Sequence, residues 1–235
     1  MQKSFIAVLA VVVIGMVGLF VFLGKDKETV DPEGKFPYTE NVFEVQEHDR
    51  KKGEGEIVVI EYGDFQCPFC GDLFPQMQLI EQAYGEEITF VFRHQPIKTA
   101  HPNAMAAHRA AEAAGMQGKF FEMHDLIYQN QDEWSSSSSA GAIFEKYAEQ
   151  LSLDVEKFKV DVASSDAFDK IQSDQSVANK IGATSTPTVF VNGQKVEEPS
   201  FQTIAAAIEA ILNPEANQET PAEDEQSQQE EPQAE

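Results

Sequence analysis

The sequence predicts an α/β domain: a small mixed sheet with helices on its faces, interrupted once by an all-helical insertion and preceded by one N-terminal transmembrane helix. Three observations predict it. A β-branched run, Ile57-Val58-Val59-Ile60, hands over to a helix and then to a second strand, the β-α-β order of parallel pairing. From 99 to 181 the apolar spacing is helical in successive segments, broken by a run of five serines. Two short strands around Asn192-Gly193 and a last amphipathic helix close the folded part.

Residues 1–4 form a short tail. Residues 5–23 carry no charge and span roughly 28 Å as a helix, close to the hydrocarbon thickness of a bilayer. A cleaved signal peptide has a shorter apolar core and a small-x-small cleavage site; Phe22-Leu23-Gly24 supplies neither, so an uncleaved anchor is favoured. Residues 24–40 mix Gly, Pro and charge without periodicity and read as a linker. Residues 213–235 lack Lys, Arg and any large apolar side chain, so they are expected to be a disordered acidic tail. With 40 acidic against 17 basic residues and a formal charge of −23, nucleic acid is a poor partner.

Within the domain, 41–98 forms a first half and 182–212 a second half around the insertion at 99–181. Residues 41–45 alternate and suggest a short edge strand or an extended lead-in. A buried strand at 57–62 precedes a helix from 68 to 84, with Pro75 inside it, and a second strand at 87–93. His101 is expected to cap the Ala-rich helix that follows, and Asp154 to cap a later one. Residues 135–139, five serines, read as a polar loop.

Cys67 and Cys70 are the only cysteines, spaced Cys-x-x-Cys at the strand-to-helix handover. Pro68 suits the first helical position, which makes Cys67 the N-cap. Its sulfur then faces free N–H groups and the positive end of the helix, so its thiol pKa should fall. Half of a zinc site is the competing reading, but no second cysteine pair exists and His48, His94, His101, His108 and His124 form no ligand spacing; no metal or other cofactor is expected. Phe65, Phe69 and Phe74 offer either an apolar docking surface or plain packing.

GDFQCPFC after a strand, HPNAMAAHRAAEAAGMQGKFFEMHDLIY and STPTVFVNG together resemble the DsbA-like thiol–disulfide oxidoreductases, which have a thioredoxin fold with a helical insertion. The resemblance covers residues 40–212. It implies an enzyme outside the cytoplasm that forms disulfides in exported polypeptides, with a reductase or isomerase of the same fold as the alternative. A non-catalytic anchored module that binds metal or protein through the two sulfurs is the reading from a different class. The resemblance assigns Cys67 as the exposed nucleophile, Cys70 as its buried partner, Pro187 as a cis-proline and Thr186 as the residue whose backbone meets a bound peptide. Sequence alone would make Pro187 a trans residue starting an edge strand. Glu61 matches a buried acid that relays a proton from Cys70; the other reading is a solvated strand carboxylate. Pro68 and Phe69, the inner dipeptide, would meet substrate, and Phe69 stands where some members carry His. Lys3 before the anchor and Lys25, Lys27 and Lys35 after it would place the domain inside the cell. The redox role places it outside, at the cell membrane on a single span. A membrane redox partner would recycle the pair.

Overall fold

The computed structural model describes residues 36–214. The expected anchor at 5–23 and nearly all of the acidic tail lie outside the described residues. Among those described, no helix is long and apolar enough to cross a membrane.

A five-stranded sheet organises the domain. Its strands are β1 (Arg50–Lys52), β2 (Ile57–Gly63), β3 (Ile88–His94), β4 (Thr188–Val191) and β5 (Gln194–Val196), in the order β1-β3-β2-β4-β5. β2 and β3 are parallel, with Ile60 beside Val91, and every other pair is antiparallel. Helix α1 (Pro68–Tyr84) makes the crossover between β2 and β3 and runs unbroken through Pro75. The hairpin of β4 and β5 turns on Asn192 and Gly193, whose φ values of 44° and 79° suit a tight two-residue turn.

Between β3 and β4 lie α2 (Ala104–Gly115), α3 (Phe120–Gln129), α4 (Gln131–Trp134), α5 (Ala140–Gln150), α6 (Val155–Val162) and α7 (Ser165–Lys180). The small side chains of α2 let it pack closely at the centre of this group, with Ala107, Ala110, Ala111 and Ala114 buried. Asp154 caps α6 by accepting the Lys157 N–H at 2.9 Å. Helix α8 (Phe201–Leu212) packs back on α1.

Side chains of β2 and β3 alternate between two cores. Val59, Phe90 and Phe92 join the larger core under α1 and the insertion, while Ile60, Tyr62 and Val91 join Val177, Ala178 and Phe190 on the opposite face. The insertion's last helix, α7, is therefore also the cover of the second face. Each fully buried Ile, Val or Phe contributes roughly 1.5–3 kcal/mol, so burial of the strands on both faces is the dominant stabilising term.

Two expectations are corrected. Residues 41–45 are a turn, in which Asn41 Oδ1 accepts the Phe43 N–H at 3.2 Å and Phe43 packs on Phe190 with ring centroids 5.0 Å apart. The edge strand is instead Arg50–Lys52. It hides its cationic pattern because the Arg50 guanidinium pairs with Glu112 at 2.6 Å and Lys52 with Glu81 at 3.0 Å, each lying over a Phe ring of α3. The compact unit begins at Tyr38, inside the stretch read as linker. Tyr38 is held there by its hydroxyl donating to Asp174 at 2.7 Å and by the Arg93 guanidinium 4.7 Å over its ring.

Candidate active site

β2 ends at Gly63, and four residues, Asp64 to Cys67, then turn the chain into α1. A Cβ on Gly63 would come within 2.5 Å of the Phe92 ring and 3.0 Å of Glu61 Oε1, so the approach admits only glycine. Asp64 fixes the turn. Its carbonyl accepts the Cys67 N–H at 3.0 Å, Oδ1 accepts the Gln66 N–H at 2.8 Å, and Oδ2 accepts the Ile97 N–H at 2.7 Å beside His101 Nδ1 at 2.7 Å. His101 thus braces the turn and does not cap α2, whose N-cap is Asn103.

The insertion grips the same turn. Gln131 Nε2, on α4, donates to the carbonyls of Phe65 and Cys67. Gln66 answers in the other direction, donating to Ser135 O at 2.8 Å and accepting the Asn103 N–H at 2.7 Å. Sequence reasoning missed Gln131, Gln66 and Asn103. Only the position of Asp64 and Gln66 just before the Cys-x-x-Cys motif could have flagged them, since their partners in the insertion and after β3 lie 33 to 69 positions away.

Cys67 is the N-cap of α1, with extended φ and ψ of −70° and 123°, and Pro68 follows at the first helical position. Both thiols are free, and Cys67 is 4% exposed against 0% for Cys70. The nucleophile expected to be exposed is therefore nearly buried, with the Thr186–Pro187 turn against it. That peptide bond is cis, and the Cys67 thiol donates to Thr186 O at 3.4 Å. The Cys67 thiol is pulled down to about 6, chiefly because the Cys70 side chain donates a hydrogen bond to its sulfur; burial opposes this, and the Thr186 side chain and the backbone N–H groups of Cys70 and Phe69 add to it. Burial pushes the Cys70 thiol well up. One sulfur is ionised near neutrality and its partner stays protonated.

Glu61 lies on β2 and is 3% exposed, so it is no solvated strand carboxylate. Burial, with smaller repulsion from Glu81 and Cys67, pushes it up to about 8, which keeps it a neutral acid at pH 7. The Tyr128 hydroxyl, also buried, has no hydrogen-bond partner among the described residues. Burial raises it, and Cys70 is the foremost of the charges that raise it further.

The three phenylalanines part company. Phe65 and Phe74 are core residues packed against Tyr128, with ring centroids at 5.0 and 5.3 Å. Phe69 is 70% exposed and forms one wall of an open groove of about 310 Å³ shared with Thr186 and Pro187.

Behind the turn runs a buried polar chain. His94 Nε2 lies 2.8 Å from Glu112 Oε1, and His94 Nδ1 lies 2.6 Å from His108 Nδ1. Both histidines are core residues without exposed surface.

The model of the thioredoxin family matches residues 52–210. A Na(+)/H(+) antiporter NhaA of Salinispora tropica is 36% identical over 180 residues, or 74% of this chain; the chain spans about a quarter (27%) of that relative's length. Among solved structures, a thioredoxin-like oxidoreductase from Silicibacter pomeroyi superposes with a TM-score of 0.62 at 24% identity, covering 72% of this chain and 94% of that one. Oxidised BdbD from Bacillus subtilis gives 0.62 at 19% identity, covering 70% and 93%. What these structures share with the chain is the fold, a thioredoxin sheet with a helical insertion.

Proposed function

The chain belongs to the thioredoxin family, and from that premise we propose that it is a membrane-anchored thiol–disulfide oxidoreductase that oxidises exported polypeptides outside the cytoplasm. Residues 5–23 would supply the anchor and a membrane redox partner the recycling. The observation that carries the reading is the unequal pair at the head of α1: Cys67 at the N-cap against the cis Thr186–Pro187 turn, and Cys70 with no exposed surface in the first turn behind it.

In the oxidised enzyme, a substrate thiolate attacks Cys67 Sγ. The Cys67–Cys70 bond breaks, and its electron pair goes to Cys70, which takes a proton. Glu61, buried and protonated below about pH 8, would be the acid that gives it. A second substrate thiolate then attacks the substrate's sulfur in the mixed disulfide, and Cys67 leaves with the electron pair. Two substrate thiols become one disulfide, and the enzyme becomes the dithiol. A thiol with a low pKa is the better leaving group, which drives exchange in this direction. Phe69 at an inner position donates no side-chain hydrogen bond and favours a milder oxidant, so a reductase of the same fold is the second reading.

The test is the equilibrium potential of Cys67/Cys70 against glutathione, with turnover of a reduced peptide. Cys67→Ser should abolish turnover, and Cys70→Ser should accumulate mixed disulfides. A potential near about −270 mV, that of a reducing thioredoxin, would leave the reductase reading. Full activity in Cys67→Ser would sink both.

A further inference from the structure

Resting on the thiol–disulfide reading, we infer that the groove beside Cys67 selects polypeptide segments in which the reacting cysteine is flanked by Lys or Arg, with Asp72 and Glu198 as the specificity-determining residues. The groove takes one wall from the exposed ring of Phe69 and another from Thr186 and Pro187, and the Thr186 carbonyl also meets the Cys67 thiol at 3.4 Å, so the groove adjoins the reactive sulfur without being lined by it. Among the described residues, Asp72 and Glu198 are the only charged side chains that line it. Both are exposed, and neither carboxylate is in an ion pair among the described residues. The neighbouring Glu197, by contrast, is neutralised by Lys195 at 3.2 Å.

Glu198 is also placed by its backbone. Its φ of +48° lies in the left-handed region, which a side chain of this size seldom adopts. Thr203 Oγ1 donates to its carbonyl at 3.1 Å and holds the turn. The loop that leads into α8 thus fixes the backbone from which the Glu198 side chain reaches the groove. Two carboxylates face a groove whose remaining lining is apolar or neutral, and the charge of an ionised Cys67 lies next to it, across Thr186. An incoming cation is attracted and an anion repelled. A cationic chain with an apolar residue against Phe69 matches that chemistry.

In water, a unit charge about 7 Å from another changes a rate by roughly threefold at low salt, so two carboxylates give a readable preference that salt should erase. The reduced full-length chain is reacted at low salt with three disulfides: cystamine (cationic), 2-hydroxyethyl disulfide (neutral) and oxidised glutathione (anionic). In each, Cys67 thiolate attacks one sulfur, the S–S bond breaks and a thiolate leaves. Cys70 then displaces the second thiolate and closes the Cys67–Cys70 disulfide. Thiol loss is followed after acid quenching, and the neutral probe gives each variant's reference rate, which removes any change in Cys67 reactivity.

Asp72→Asn with Glu198→Gln should lower the cystamine-to-glutathione rate ratio by roughly tenfold or more. Glu86→Gln with Glu87→Gln removes the same charge beside the start of β3, at the far end of the sheet, and should leave the ratio near that of the wild type. A ratio within about twofold of wild type in the groove variant, or an equal drop in the remote one, would overturn charge selection by the groove. If the neutral probe fails to oxidise the wild-type pair, the redox reading itself falls; if it succeeds while the ratio stays put, only the charge selection does.

Discussion

Gln131 Nε2 donates to two main-chain oxygens of the active-site turn, Phe65 O at 2.7 Å and Cys67 O at 2.9 Å. The Cys67 carbonyl also accepts the Gly71 N–H at 3.1 Å, so its two lone pairs are divided between the helix and the insertion. An amide from outside the sheet thus sets the orientation of the N-cap that stabilises the thiolate.

Removing that amide takes a donor from the Phe65 carbonyl and leaves the Cys67 carbonyl with the Gly71 N–H alone. Gln131→Ala should cost about 1–3 kcal/mol in urea unfolding of the reduced protein. It should also raise the Cys67 midpoint above about 6 when thiolate absorbance is titrated. Loss of stability with an unmoved midpoint would mean that the amide holds the fold and not the thiolate.

Glu61 carries a pH-dependent cost. Its folded pKa is raised to about 8 from an ordinary 4.5, so the unfolded chain releases its proton first. The stability contribution is full below 4.5 and is lost as pH rises to 8. Glu61→Gln removes that loss: it should leave stability unchanged near pH 4 and raise it by up to about 3 kcal/mol at pH 7. The same variant should slow release of Cys70 from the disulfide, read as slower formation of the mixed disulfide with a model thiol.

Phe69→His adds a donor at the groove wall beside the thiolate. The Cys67 midpoint should fall below about 6 and the equilibrium with glutathione should shift toward the dithiol. One unit of pKa corresponds to about 1.4 kcal/mol, or about 30 mV for this two-electron couple. An unchanged potential would show that the exposed ring position does not reach the sulfur.

Arg93 is fully buried and pairs with buried Asp49 at 2.7 Å, while also donating to Glu44 O, Val42 O and Tyr62 Oη. Arg93→Met leaves the Asp49 charge uncompensated and should destabilise by about 3–5 kcal/mol in urea. It should also open residues 38–49 to limited proteolysis, since this one guanidinium ties that lead-in to β3.

What was legible in the sequence was local. Cys67 with Pro68 marked a helix start, Asn192-Gly193 marked a hairpin, and Asp154 marked a cap, because each signal is complete within a few residues. Arg50–Lys52 was not legible as a strand: three cationic residues show no apolar alternation, and their burial depends on Glu112 and Glu81, which arrive from distant helices. Residues 41–45 had the alternation and became a turn, because Asn41 bonds its own following backbone more readily than a sheet edge. Gln131 is one glutamine among many, and only the fold brings it to Cys67. The same holds for Tyr38, whose partners Arg93 and Asp174 lie 55 and 136 positions away in the chain.

Cys70 has no exposed surface, so under the proposed chemistry every electron pair must enter and leave through one atom, Cys67 Sγ. The polypeptide being oxidised and the membrane partner that restores the disulfide cannot dock at once. They take turns, which makes the catalytic cycle double-displacement, with parallel lines in reciprocal rate plots. It also makes each partner an inhibitor of the other's half-reaction when in excess. A surplus of unfolded cargo would then starve the enzyme of its own reoxidation, and throughput would peak at an intermediate load.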